Sequence, residues 1–230
     1  MRSSRAEAAG VPSVRVTEIF HSIQGESTRA GLPCTFVRLT GCPLRCVWCD
    51  TAYAFHGGTR LTLDEVMREV EATGCRLVEI TGGEPLVQPG AALLARRLLD
   101  EGYTVLIETS GALDVGVLDP RVHRIMDLKC PGSGEEQRNL WSNLDHLTHR
   151  DEVKFVVAGL DDFEWAENVI RERQLDERVR AGTLGALLIS PVWGMGGLEE
   201  LAARILSSGL PLRFQTQLHK HIWGPDRAGV

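Results

Sequence analysis

No stretch of this chain approaches the roughly 18 consecutive apolar residues that a membrane-spanning helix requires. Its first residues, MRSSRAEAAGVPS, are small and polar and hold no apolar core of a secretory signal. They read as a disordered extension over 1–13. Basic charge is in deficit as well: 25 Lys and Arg stand against 31 Asp and Glu, a net charge of −6, so the basic footprint of a nucleic-acid binder is missing. There is no internal repeat, no low-complexity run and no linker-like segment. A chain of 230 residues that is 43% hydrophobic can therefore bury a full core as one α/β domain over 14–230.

What is present is a cysteine loop. Cys42, Cys46 and Cys49 stand in GCPLRCVWC, a CxxxCxxC spacing. An iron–sulfur cubane takes its thiolates from a short loop that can wrap it, and three of them leave one iron open to a substrate or cofactor. The alternative is a zinc knuckle completed by Cys34 or His56. Structural zinc sites usually show two paired ligand sets, however, and only one compact set occurs here. Cys34 and Cys75 lie in apolar surroundings and read as buried small hydrophobes. Cys130, in KCPG after a strand pattern, stays open between core and site. A low-potential cluster and unpaired thiols both fit a reducing cytoplasm.

Strand and helix patterns alternate along the chain. VRVTEIF (14–20) and TFVRLT (35–40) read as the first strands, with the cysteine loop directly after them. Thr62 and Glu65 form a capping-box pattern ahead of a helix with apolar Leu63, Val66, Met67 and Val70. RLVEIT, YTVLIET, HRIMDLK, EVKFVVA, GALLIS and LRFQTQ (212–217) continue as strands. AALLARRLLDEG ends near Gly102, and further helices fall near 161–173 and 197–208. Such alternation predicts a parallel sheet with helical crossovers, whose ligands sit where strand passes into loop.

The strand ends carry polar chemistry. TGGEP (81–85) has two glycines that let a ligand approach the backbone, and Glu84 can receive an ammonium; an ordinary glycine turn is the plain alternative. ETSG (108–111) offers an acid and two hydroxyls, which suit a ribose, a carboxylate or a helix cap. DLK places Asp127 and Lys129 at another strand end. Lys154 inside EVKFVV is either a pocket lysine or an edge-strand one, since a charge within a strand needs a partner or a cavity.

With Trp48 before the third cysteine, the cysteine run resembles the signature of the radical S-adenosylmethionine (SAM) enzymes, and TGGEP resembles their motif for the SAM amino group. EIFHSIQGES (18–27), Arg38 in VRLTGC, Thr51 in CDT, ETSG and QLHKHIWGPD together resemble the 7-carboxy-7-deazaguanine synthase family, from about Val16 to about Asp226. The resemblance implies a partial, open TIM-like β/α barrel. It implies conversion of 6-carboxy-5,6,7,8-tetrahydropterin to 7-carboxy-7-deazaguanine with loss of ammonia, through hydrogen abstraction at C6, with SAM regenerated. The implied cofactors are a 4Fe–4S cluster on Cys42, Cys46 and Cys49, SAM, and Mg²⁺ on Thr51. SAM contacts are implied at Trp48, Asp50, Gly82, Gly83, Glu84, Glu108, Ser110, Asp127 and Lys129. The last two replace a Ser-Pro-Lys found in other members. Substrate contacts are implied at Ile23, Gln24, Gly25, Glu26, Arg38, Thr81, His219 and Val230. Implied partners are a flavodoxin or ferredoxin as electron donor and a second copy in a homodimer. The rival within the superfamily is an activase that places a glycyl radical on a partner protein. It would need a groove for a peptide.

Overall fold

The computed structural model describes residues 11–230. Nine strands form one sheet in the order β3-β1-β2-β4-β5-β6-β7-β8-β9. They are β1 (Ser13–Ile23), β2 (Pro33–Leu39), β3 (Thr59–Thr62), β4 (Leu77–Gly82), β5 (Thr104–Thr109), β6 (His123–Leu128), β7 (Glu152–Val157), β8 (Ala186–Pro191) and β9 (Leu212–Phe214). From β2 to β9 every neighbour is parallel. The strands at the two ends of the order, β3 and β9, do not pair, so the barrel is open. The expected disordered extension lies, for residues 1–10, outside the described residues. Its inner boundary moves, because Ser13 already pairs with Thr62 and the Pro12 carbonyl accepts from the Leu63 amide.

One expectation is corrected: β1 runs antiparallel to both β2 and β3. The segment between β1 and β2 is too short for a helical crossover, and a direct return is open only to an antiparallel partner. The helices are α1 (Leu63–Ala72), α2 (Pro89–Asp100), α3 (Leu160–Glu172), α4 (Leu175–Arg180), α5 (Leu198–Ser207) and α6 (Leu218–Trp223). The capping box at Thr62 and Glu65 forms as expected. Strand β3 and helices α4 and α6 have four, six and six residues, too few for a periodic signal, and the expected strand 212–217 stops at Phe214 to allow the turn into α6. Only 3₁₀ turns connect β5 to β6 and β6 to β7.

Strand alternation divides polar from apolar. Val78 and Ile80 of β4 and Val105 and Ile107 of β5 pack outward with Leu94 and Leu98 of α2. Phe155 of β7 and Ile189 of β8 do the same with Phe163 and Ile170 of α3. Each such side chain contributes about 1.5–3 kcal/mol when fully buried. The outer layer thus stabilises the fold and leaves the inward positions free to be polar. Those positions are Arg38, Glu79, Thr81, Glu108, Asp127, Lys154 and Ser190, and all of them line one cavity.

Candidate active site

The cavity has a volume of about 710 Å³ and opens at the C-terminal ends of the parallel strands. Its wall includes Cys42, Cys46 and Cys49, the Gly82–Gly83 turn, and the ends of β5, β6 and β8. The loop holding the cysteines is fixed by its backbone. Val47 donates to the Ser133 carbonyl at 3.0 Å and Gly41 to Ala54 at 2.8 Å. The Arg45 guanidinium stacks on Phe55 at 4.2 Å and donates to the carbonyls of Cys42 and Leu44. Among the described residues, none of these three thiols donates a hydrogen bond. The thiols of Cys34 and Cys75 do, to nearby carbonyls.

Gly82 and Gly83 have no room for side chains. A Cβ on Gly82 would stand 2.1 Å from the Leu39 carbonyl oxygen, and one on Gly83 2.3 Å from that of Gly41. The turn is therefore pressed against the cysteine loop and presents backbone to the cavity. Glu84 behaves differently from the expectation that it would receive a ligand's ammonium. It is fully buried, and it accepts from the Leu86 amide, the Thr109 hydroxyl, and the amide and hydroxyl of Ser110 at 2.6–3.0 Å. Its carboxylate ties the β4 turn to the end of β5. Ser110 spends its hydroxyl proton there.

Inside the barrel a buried ammonium sits among carboxyls. Lys154 of β7, a central strand and not an edge, pairs with Glu26 at 2.8 Å and with Glu108. Burial alone would depress the Lys154 pKa, but the charges of Glu108 and Glu26 outweigh it and hold the pKa well above the lysine range. Burial pushes Glu26 up, yet Lys154 and a hydrogen bond from Gln217 bring its carboxyl below the usual range. Glu108 is raised, by burial first, against the pull of Lys154. Glu26 and Glu108, expected to be free for ligands, are both engaged, though both still line the cavity.

Above this floor the C-terminal segment folds back over the cavity. Lys220, itself buried, donates to Asp50 at 2.6 Å, and Gln217 bridges Asp50 and Glu26. The Leu218 amide donates to the Gly25 carbonyl at 3.0 Å. His219 packs so closely on Gly25 that a Cβ there would lie 2.2 Å from its Nδ1 and 3.1 Å from its backbone nitrogen. Gly25→Ala is accordingly expected to push α6 off the cavity and raise the substrate KM by about tenfold or more, with the iron content unchanged. Steady-state kinetics beside an iron assay check this. Burial lowers the His219 pKa. Arg38 donates through Nε to Glu18 at 2.7 Å, and Tyr53 donates to the same oxygen at 2.8 Å. Residues 225–230, Val230 included, complete the lining.

A sequence model of the radical SAM superfamily matches residues 36–131. The 7-carboxy-7-deazaguanine synthase of Chlorobaculum tepidum is 45% identical over 94% of this chain and 97% of that protein. The synthase of Koribacter versatilis is 42% identical over 94% of this chain and its own full length. This chain belongs to the 7-carboxy-7-deazaguanine synthase family. The crystal structure of QueE from Escherichia coli has the same fold, with a TM-score of 0.71 at 23% identity over 90% of this chain and 95% of that one. The radical SAM assignment implies a 4Fe–4S cluster and SAM.

The residues present fit both groups. Ligands to one tetrahedral zinc stand about 3.8 Å apart at its usual bond length. Among the described residues, no three His, Cys, Asp or Glu side chains are gathered that way. Three cysteines of one short loop around a shared cavity suit a group in which each thiolate meets a different iron. For SAM, two buried cavity atoms have no partner among the described residues: Asp127 Oδ1 and Ser190 Oγ. Lys129, an implied SAM contact, lines the cavity and donates to Asp127 Oδ2 at 2.7 Å. Cys130 is buried in the core, and Cys75, expected to be buried, is half-buried at the barrel's rim. The sequence reading missed Glu79, Ser190 and Gln217 as cavity residues and assigned no role to Lys220. For Glu79 a signal existed: an acid at the inward parity of a strand read as buried.

Proposed function

We propose that this enzyme is a ring-contracting radical SAM lyase that converts 6-carboxy-5,6,7,8-tetrahydropterin to 7-carboxy-7-deazaguanine and releases ammonia. The observation that carries the reading is the single cavity in which the cysteine loop, the Gly82–Gly83 turn and a pocket of acids around Lys154 meet. When bound, the cluster and SAM supply a 5′-deoxyadenosyl radical that takes a hydrogen atom from the substrate ring, and SAM is restored at the end of turnover.

The chain's own groups bind and orient. Cys42, Cys46 and Cys49 hold the cluster. Gly82, Gly83 and the backbone near Trp48 and Asp50 form the SAM bed, with Ser110, Asp127 and Lys129 at its polar end. Arg38 keeps its terminal nitrogens free of protein partners among the described residues and meets the substrate carboxylate with them. Thr81 and the backbone of Ile23, Gln24 and Gly25 line the ring, and Glu26 and Glu108 accept from its N–H groups. His219 and Val230 close the pocket. This covering segment favours a small heterocycle over the peptide groove that an activase needs.

Mg²⁺ fits beside Thr51. That hydroxyl gives its proton to Asp50 Oδ1 at 2.9 Å and so keeps its lone pairs for a cation, which hard oxygen ligands and water would complete. Thr51→Ala is expected to flatten the dependence of rate on added Mg²⁺ while the brown colour of the cluster persists; loss of colour would give Thr51 a structural role instead. No helix among the described residues is long and apolar enough to cross a membrane. A reducing cytoplasm, a flavodoxin or ferredoxin donor and a homodimer complete the proposal.

The test is an anaerobic assay with SAM, dithionite, Mg²⁺ and 6-carboxytetrahydropterin, read by mass spectrometry. Many product molecules per SAM are expected. Accumulation of 5′-deoxyadenosine without product would keep the radical chemistry and overturn the substrate.

A further inference from the structure

Glu79 is the buried acid that the binding scheme above does not use. It lies inward on β4, 2% exposed, between Phe36 of β2 and Leu106 of β5 in register. Its one side-chain hydrogen bond among the described residues is with the Gln24 carboxamide nitrogen. Among the described residues no cation hydrogen-bonds to it, although Lys154 and Arg38 stand near enough to pull its pKa down in part. Lys154 pairs with Glu26 and Glu108, and Arg38 donates through Nε to Glu18. The carboxyls of Glu108 and Glu26 are close enough to repel it. Burial first, then those two charges, push the Glu79 pKa well above the carboxylate range. A shift in that direction favours the neutral form of the carboxyl, which hydrogen-bonds without needing a counter-ion.

Gln24 is fixed at both ends of its side chain. Its nitrogen faces Glu79, and its oxygen accepts from the Glu26 amide at 2.8 Å. Its backbone is tied as well, with the amide donating to the Leu32 carbonyl and its own carbonyl accepting from Gly31. Three residues on, Ser27 has a φ of 65°, a left-handed conformation that a non-glycine residue adopts at a cost. The 24–27 turn therefore needs an outside anchor, and the anchor comes from β4. Glu26, the next link, then meets both Lys154 and Gln217.

We propose that Glu79 is a positioning residue for the substrate: its carboxyl orients the Gln24 carboxamide, which sets the Gly25–Glu26 backbone and the Glu26 carboxylate against the ring. This rests on the function proposed above, and it predicts a specific asymmetry between variants. Glu79→Gln preserves a neutral side chain of the same shape that can accept from Gln24 Nε2. Glu79→Ala removes the anchor and leaves the rest of the wall intact.

The experiment measures kcat and KM for 6-carboxytetrahydropterin in wild type, Glu79→Gln, Glu79→Ala, Gln24→Ala and the Glu79→Ala/Gln24→Ala double variant, with iron content and SAM binding alongside. Wild type must first form product; if it does not, the substrate assignment fails before the role of Glu79 is addressed. Given turnover, Glu79→Gln is expected within about twofold of wild type in both constants and with the same pH profile. Glu79→Ala and Gln24→Ala are each expected to raise KM by about tenfold with a smaller change in kcat, and the double variant to be no worse than either, because the two residues act as one unit. An unchanged KM in a folded Glu79→Ala enzyme overturns the proposal, as does full additivity in the double variant. A large fall in kcat in Glu79→Gln also overturns it, since that would make Glu79 a proton-transfer group. If Glu79→Ala does not fold, Gln24→Ala and Glu79→Gln still decide: an unchanged KM in the former, or a KM raised tenfold in the latter, refutes the relay.

Discussion

Cys42→Ala, Cys46→Ala and Cys49→Ala should each abolish both product and 5′-deoxyadenosine, and each should leave the reconstituted protein nearly colourless. The three thiols share one cavity, and among the described residues none of them donates to a carbonyl. Backbone hydrogen bonds and the Arg45–Phe55 stack hold their loop without them. The variants should therefore fold, with a Tm close to that of the unloaded wild type, and fail only in chemistry. Two remaining thiolates cannot hold a cubane in place. Cys34→Ala should leave iron content unchanged, because Cys34 is buried in the wall of the sheet. Full activity in any one of the three loop variants would remove the cluster assignment.

Lys154→Met is expected to give the largest loss of stability in the site. It takes one buried ammonium from between Glu26 and Glu108 and leaves their half-buried carboxyls without a counter-ion. Breaking a buried pair from one side typically costs about 3–5 kcal/mol, which in a chain of this size lowers Tm by roughly 6–20 °C. The pH dependence has a definite sign. In wild type the raised Lys154 pKa means that its contribution is complete below the unfolded lysine value and lost only as pH rises through the folded one, beyond the neutral range. The lowered Glu26 pKa contributes above its unfolded value and is lost as pH falls through the folded one. In the variant burial is opposed on Glu26 only by the Gln217 hydrogen bond. Both carboxyl pKa values therefore rise from their wild-type positions, and the variant loses stability relative to wild type as pH rises above about 4.5. The gap in Tm between wild type and variant should thus be widest near pH 8 and narrow towards pH 4.5. Thermal melts across that range check it. A gap independent of pH would mean that Lys154 matters through packing alone.

How much of the site was legible varies with how local each signal is. The cysteine loop, the Gly-Gly turn and Thr51 are contiguous motifs, and each is found in the cavity where its spacing suggested. Glu84 shows the limit of such reading. Its place in TGGEP suggests a ligand, but its partners are Thr109 and Ser110, one strand away in space and some 25 residues away in sequence. The strands that carry the fold were visible because apolar residues recur at every second position. The reversal at β1 was not, because direction depends on which strand a short connection can reach.

Residue chemistry and short-range spacing by themselves determined the cluster loop, the family resemblance, and the parallel α/β core with its C-terminal-end site. Only the tertiary structure decided which acids would pair with the buried ammonium. Lys154 can satisfy two carboxylates at once, and the barrel brings three within reach of it. The third, Glu79, is left to the Gln24 carboxamide, and no reading of RLVEIT alone could show that. Ionisation in a barrel interior depends on distances between strands, and these exist only after the sheet has closed around its cavity.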